Sequence, residues 1–130
     1  MTEGSDAVES LARGMAVRRE VLGDAHVDRA EARKSDLTRD FQGFLTEYAW
    51  GAVWTRPGLD RRQRSVATLT ALIALGHWDE LVLHLRAART NGLTVAEIGE
   101  VIMHSAVYCG VPAANHAFAV AQHVLEDTDG

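Results

Sequence analysis

Two histidines and a glutamate recur at helical spacing near the middle of this 130-residue chain. His77, Glu80 and His84 stand at positions i, i+3 and i+7, so two turns of helix would place both imidazoles nearly on one line with the carboxylate between them. Imidazole suits proton transfer because its unperturbed pKa lies near ~6.5. The residues alone favour a structural role for His84, as a core histidine bonded to a backbone carbonyl. The three side chains could also be metal ligands, but spacing by itself is weak support and we expect no metal.

Arginines just before this group could bind an anion. The first turn of a predicted helix contains Arg61, Arg62 and Arg64. The helix dipole disfavours cations at this end, so a binding role for one of these arginines would explain their presence. At about 100° per residue they cannot all face inward, and at least one must reach solvent. The alternative is that this first turn is simply a basic, solvent-exposed part of the helix with no binding role. Arg56, in a Trp-Thr-Arg-Pro turn, is a further candidate, although loop arginines are usually only exposed.

Other polar groups are weaker candidates. Glu47 could relay protons or pair with an arginine, and pairing is the favoured interpretation. Tyr108, Asn115 and His116 flank a Cys-Gly-Val-Pro turn and could donate hydrogen bonds to a ligand oxygen, although such groups more often satisfy helix ends. We interpret Cys109 as a small buried residue, because a thiol without a placed base is rarely a nucleophile.

The elements that must position these groups are predicted to be helices, because no segment alternates at period two for long enough to form a strand. Asp36, Asp60 and Thr94 are predicted N-caps, and the charged segment 24–35 is predicted to be a connecting arm. We expect one all-α domain over residues 1–130, a bundle of about six helices with residues 1–35 as N-terminal helix and arm and 36–126 as core. The predicted helices cover about 7–22, 36–54, 60–75, 78–90, 94–109 and 112–126.

Composition excludes several classes of function. Thirteen Lys plus Arg against eighteen Asp plus Glu give a net charge of −5, so we expect neither nucleic acid nor an anionic membrane as partner. One cysteine excludes an internal disulfide. The N-terminal residues lack a signal-peptide pattern and no apolar run reaches spanning length, which predicts a cytoplasmic protein. The apolar segment Leu81–Leu85 and the small residues after Pro112 predict a homo-oligomer.

Long segments of the chain resemble the γ-carboxymuconolactone decarboxylases. The similarity is carried by Glu47–Ser65, Ala71–Gly92 and Val107–Phe118, and it reaches back to Arg19–Ala30. These runs hold Trp, Pro and Gly at fixed places and are far more specific than a short pattern. The resemblance implies an all-helical subunit, an oligomer that is typically a hexamer, no cofactor, and a step in protocatechuate breakdown by the β-ketoadipate route.

The wider superfamily includes alkylhydroperoxidases with a Cys-x-x-Cys pair followed four residues later by His. With that histidine placed on His84, the two cysteine positions fall on His77 and Glu80, so disulfide chemistry cannot occur here. The glutamate that those relatives use as a proton relay falls on Ser65. Only His84 remains as a shared functional position.

With the resemblance, His84 becomes the favoured acid or oxyanion donor of a cofactor-free decarboxylation, with His77 and Glu80 assisting or orienting. One alternative is a non-catalytic helical oligomer that binds a small organic acid or a protein. A second is a redox protein related to the alkylhydroperoxidases, which the absent cysteines disfavour. Helix-turn-helix DNA binding is disfavoured by the acidic balance and the lack of a basic recognition helix.

Overall fold

The chain divides into two compact units, Met1–Leu59 and Asp60–Gly130. The computed structural model describes the backbone of residues 3–126 and the side chains of residues 6–126. The predicted domain also included residues 1–2 and 127–130, which lie outside the described part. Every regular element between residues 3 and 126 is helical, so the predicted all-α class is confirmed. None of the helices in that span is both long and apolar enough to cross a membrane.

The first unit begins with two helices, α1 (Glu3–Leu22) and α2 (Asp24–Ala32), joined at Gly23. The prediction of a connecting arm over residues 24–35 was wrong for most of that segment. Gly23 adopts a positive φ of 89°, which ends α1 and begins α2 within one residue. Of the residues of α2, only Val27 is fully buried, so the helix carries too few apolar residues for a periodic signal.

The next segment forms α3 (Arg39–Leu45) and continues as a π-helix, π1 (Thr46–Val53). The predicted cap was wrong: Thr38 occupies the N-cap position, and the Asp36 carboxylate accepts a hydrogen bond from Arg39 at 2.6 Å. α1 packs closely against π1 because glycine stands at the crossing. A Cβ on Gly14 would lie 2.2 Å from the carbonyl oxygen of Thr46.

The second unit follows the sequence signals closely. α4 (Arg61–Leu75) begins with a capping box in which Asp60 and Gln63 bond reciprocally, and it ends at Gly76 in the left-handed conformation. α5 (Trp78–Thr90) follows, and α6 (Val95–Cys109) begins with a second capping box at Thr94. α7 (Val111–Ala121) has a proline in its first turn and continues as a short π-helix, π2 (Gln122–Glu126).

One core of apolar side chains joins the helices of the second unit. α5 places Leu81 and Leu85 at its centre with no exposed surface. α7 contributes the small residues Ala114, Ala117 and Ala121, which allow close approach. The other fully or nearly fully buried members are Leu69, Ile73, Ala88, Leu93, Ile98, Ile102, Val124 and Leu125.

Candidate active site

The junction between α4 and α5 forms a polar pocket of about 300 Å³. Gly76 makes the turn, and His77 takes the N-cap position of α5 without its side chain capping the helix. The turn follows from the sequence, since glycine tolerates the positive φ of 70° that reverses the chain here. The pocket is lined by Gly76, His77, Trp78, Asp79 and Glu80.

His84 lies two turns into α5, in a different environment from the other two members of the predicted group. His77 and Glu80 are exposed, whereas His84 is half-buried and its Nδ1 atom is enclosed by protein. Its neighbours along the helix, Leu81 and Leu85, have no exposed surface. The half-buried imidazole of His84 thus lies two turns along α5 from a pocket whose lining carries the His77 imidazole and the carboxylates of Asp79 and Glu80.

The alternative interpretation of these three residues was a metal site. Among the side chains of residues 6–126, no three His, Cys, Asp or Glu groups converge closely enough to hold a metal ion. Proton transfer and hydrogen bonding are the chemistry that His77, Glu80 and His84 can offer in this arrangement.

Trp78 brings α7 to this pocket, and the sequence did not single it out. Its indole stacks on the imidazole of His116 with ring centroids 4.1 Å apart and planes 2° from parallel. His116 is exposed in the first half of α7, so the stack ties the start of α5 to that helix. Only the tertiary structure could reveal this pair, because 38 positions separate the two residues in the sequence. The sequence offered one signal for Trp78, a large aromatic side chain directly after a predicted helix break.

The three arginines of α4 do not share one environment, as helical geometry requires. Arg62 donates to the carbonyl oxygen of Gly92 and to the carboxylate of Glu97, so it fastens α4 to the start of α6. The backbone N–H of Thr94 and the Arg62 guanidinium both lower the pKa of Glu97 below its usual 4.5. Arg61 and Arg64 are half-buried. The intramolecular contacts of Arg62 argue for a structural role of this arginine.

Ser65 occupies the position of the superfamily glutamate and has a structural contact of its own. Its side chain is buried, and its hydroxyl accepts a hydrogen bond from the Asn91 amide at 2.9 Å. The bond joins α4 to the end of α5. The position thus supports the fold of the second unit.

Glu47 and Arg56 belong to the first unit. Glu47 lies half-buried in π1, beside the buried Thr46. π-helices are frequent at functional sites, which adds weight to Glu47 as a candidate. Arg56 is exposed in the turn that follows the packed rings of Trp50 and Trp54, whose centroids lie 5.0 Å apart.

The remaining candidates surround the turn from α6 to α7. Tyr108 is 77% exposed, and its ring lies 5.2 Å from that of His104 on the same helix. Asn115 is exposed, and Cys109 is half-buried against the core. Of this group only His116 is brought to the pocket, through its stack on Trp78.

Comparison with known proteins identifies relatives over most of the chain. The 4-carboxymuconolactone decarboxylase of Acinetobacter baylyi is 48% identical over 115 residues, which cover 88% of this chain and 86% of the relative. The nitrosuccinic acid decarboxylase of Metarhizium robertsii is 47% identical over 114 residues, covering 88% of this chain and 80% of the relative. A Pseudomonas putida 4-carboxymuconolactone decarboxylase is 53% identical over 38 residues, which cover 29% of this chain and 79% of that sequence.

A family match covers the segment that holds most of the site. The sequence model of the carboxymuconolactone decarboxylase family matches residues 39–123, which include π1 and the whole region from α4 to α7. The sequence resemblance and the all-helical fold agree with this match. The chain belongs to the carboxymuconolactone decarboxylase family.

Proposed function

We propose that this protein is a carboxy-lyase that converts γ-carboxymuconolactone to β-ketoadipate enol-lactone in protocatechuate catabolism. The observation that carries the proposal is 48% identity to a 4-carboxymuconolactone decarboxylase across 88% of this chain and 86% of that relative. Because the sequence similarity extends over most of both chains, the match is not limited to an isolated motif.

The substrate supplies the electron sink for this reaction. Its γ carbon carries both the departing carboxylate and an acetate arm, and the electrons released with CO2 delocalise through the ring double bond to the lactone carbonyl. Protonation at the α carbon then gives the enol-lactone. The protein has to hold the acetate arm, stabilise negative charge on the lactone oxygen, supply one proton and keep the departing carboxylate poorly solvated.

His84 is the residue to which we assign the proton or the hydrogen bond to the lactone oxygen. Its half-buried position against Leu81 and Leu85 offers a sheltered imidazole, and a donor in such surroundings acts more strongly than one in water. His77 and Glu80, which line the pocket, assist by orienting the substrate or returning the proton. These assignments rest on burial and on position along α5.

Arg61 and Arg64 are the proposed partners of the substrate carboxylates. Arginine forms bidentate pairs with carboxylates, and these two side chains are half-buried on the second unit, which also holds His84. Arg56 and Glu47 of the first unit, and Tyr108 and the Asn115–His116 pair, are secondary binding or relay candidates.

Assembly of several copies is part of the same proposal, with a hexamer as the expected form. Large apolar side chains remain exposed on both units, and isolated subunits rarely leave so much apolar surface in water. Phe41, Phe44 and Tyr48 form a row with 61%, 57% and 60% exposure. A cytoplasmic location is proposed with it, as expected for an enzyme of catabolism.

The deciding experiment is turnover of freshly generated γ-carboxymuconolactone by the purified protein, followed by ultraviolet absorbance with and without EDTA. Formation of the enol-lactone at equal rates in both samples would support a cofactor-free decarboxylase. Absence of turnover would contradict the proposal and favour a helical oligomer that binds a small acid. Turnover abolished by EDTA would refute the cofactor-free mechanism.

Nitrosuccinate is a second candidate substrate, favoured by the 47% identity to a nitrosuccinic acid decarboxylase. The two acids share a reacting carbon that carries a carboxylate, an acetate arm and a neighbouring group able to accept charge on oxygen. Loss of CO2 beside the nitro group leaves a nitronate, as loss from the lactone leaves an enolate. Comparing kcat/KM for both acids on one preparation decides between them, because discrimination is set by the ratio of those values.

A further inference from the structure

We propose that a pocket between the end of α2 and the start of α3 binds a small oxyanion, the carboxylate or phosphate group of a metabolite. The pocket has a volume of about 170 Å³, enough for one such group, and belongs to the first unit. Its lining contains two cations and no carboxylate. The lining residues are Ala30, Arg33, Lys34, Thr38 and Gln42.

A buried arginine stands behind this pocket. Arg18, on α1, is 5% exposed, and burial is the main cause that lowers the pKa of its guanidinium. Its contacts are long: 3.4 Å to the Thr46 hydroxyl, 3.4 Å to Gln42 Oε1 and 3.9 Å to the Glu31 carboxylate. Its Nε atom is buried without a hydrogen-bond partner among the described residues. A buried cation is costly unless it is well paired, and the one carboxylate near Arg18 among the described residues, Glu31, lies at a long distance.

The neighbouring arginine, Arg19, forms close ion pairs and provides a comparison for Arg18. Arg19 lies 3.0 Å from Asp24 and 2.9 Å from Asp28, and these hydrogen bonds raise its pKa. Arg18 has only Glu31, and that carboxylate lies closer to Lys34, at 2.7 Å. One carboxylate therefore serves two cations, and Arg33 adds a third positive charge at the pocket.

Gln42 connects the buried cation to the pocket. Because its Oε1 accepts from Arg18, the other end of the amide is Nε2, which can only donate. The Thr38 hydroxyl accepts from the backbone N–H of Ser35, so its own proton is available to donate as well. The polar side chains of the lining thus present donors, which suits an oxyanion and disfavours a cation.

The test is isothermal titration of the full chain with inorganic phosphate and, separately, with succinate at low ionic strength. We expect saturable binding of at least one anion, and the stronger of the two identifies a phosphate or a carboxylate as the ligand group. Arg33→Gln and Gln42→Glu should each weaken binding by at least ~10-fold, because the first removes a cation and the second puts a competing carboxylate in the pocket. Failure of both anions to bind saturably would overturn the proposal.

Two control variants locate the site. Arg13→Gln removes an exposed cation from α1, outside the pocket, and should leave the affinity unchanged. Arg61→Gln changes one of the proposed substrate-binding arginines of the second unit and should also retain binding, which separates this pocket from the proposed active site. Binding that persists in Arg33→Gln, or that disappears in Arg61→Gln, would show that the anion occupies another site and would refute the inference. Since the readout is affinity, it is independent of whether the decarboxylase proposal holds.

Discussion

At the scale of single residues, burial separates side chains that the sequence presents as equivalents. His77, Glu80 and His84 share one predicted helical face, yet only His84 is half-buried among side chains of the core. Arg61, Arg62 and Arg64 share one turn, and Arg62 is the member that contacts Gly92 and Glu97. In both groups residue type and spacing identified the set, and packing distinguished its members from one another.

His84→Gln should lower kcat for the lactone by at least ~100-fold. Glutamine keeps a hydrogen-bonding side chain, but its amide does not act as a proton donor near neutral pH. Steady-state kinetics measured by ultraviolet absorbance tests this. The matched control is His104→Gln, which changes an exposed histidine on α6 and should leave kcat within about twofold of the native value. An unchanged kcat in His84→Gln would remove this residue from the proton step.

Glu97 should make the second unit sensitive to acid. Its pKa is lowered in the folded protein, so its contribution to stability is present above pH 4.5 and is lost as the pH falls through the lower folded-state value. Glu97→Gln should therefore show a shallower fall of the free energy of unfolding below pH 4.5, measured by urea denaturation. Glu100→Gln, exposed on the same helix, should retain the native slope. Equal slopes in all three proteins would contradict the assignment.

At the scale of elements, the sequence predicted helix ends correctly where residues of the same helix end form the cap or the break. The N-caps Asp60 and Thr94 and the helix break at Gly76 appear where the sequence predicted them, because each depends on residues close together in the chain. Prediction failed at α2, whose short span buries little apolar surface. It also failed at π1, since helix propensities do not distinguish π from α hydrogen bonding.

The contact of α1 with π1 should depend on the absence of a side chain at Gly14. Gly14→Ala would place a Cβ 2.2 Å from the Thr46 carbonyl oxygen and 2.9 Å from the Gly51 nitrogen. We expect the substitution to lower the free energy of unfolding by ~1–3 kcal/mol or more, because backbone cannot yield as a flexible side chain does.

Gly43→Ala is the matched control, since an added Cβ there meets nothing within 4 Å. In the interior of α3 it should stabilise by ~0.5–1 kcal/mol through helix propensity. Urea denaturation of both variants provides the measurement. A Gly14→Ala protein as stable as Gly43→Ala would mean that the two helices do not approach this closely in solution.

At the scale of the whole molecule, exposed apolar surface favours assembly over a monomer. The rings of Phe41, Phe44 and Tyr48 follow one another along α3 and π1, with centroids 6.4 and 5.4 Å apart. The row faces solvent in the single chain. Helical periodicity identifies an apolar face, but it does not tell whether that face packs within the chain or against another copy.

Phe44→Asp should therefore reduce the size of the assembly, because a buried unpaired carboxylate opposes association. Light scattering after size-exclusion chromatography measures the mass directly. Asp40→Ala alters an exposed residue of the same helix and should leave the mass unchanged. A native protein that elutes as a monomer, or a Phe44→Asp protein of native mass, would show that the row is not an interface.

The sequence by itself determined the helical class, the ends of α4 to α6 and the family resemblance. Helix class and helix ends depend on residues close together in the chain, and the family resemblance depends on long matching segments. Both kinds of information can be read directly from the order of the residues. Only the tertiary structure decided that Trp78 stacks on His116, that Arg62 fastens α4 to α6 and that the buried Arg18 lies at a long distance from Glu31. Each of these joins residues distant in sequence, and their meeting depends on how whole helices pack, which no local pattern encodes.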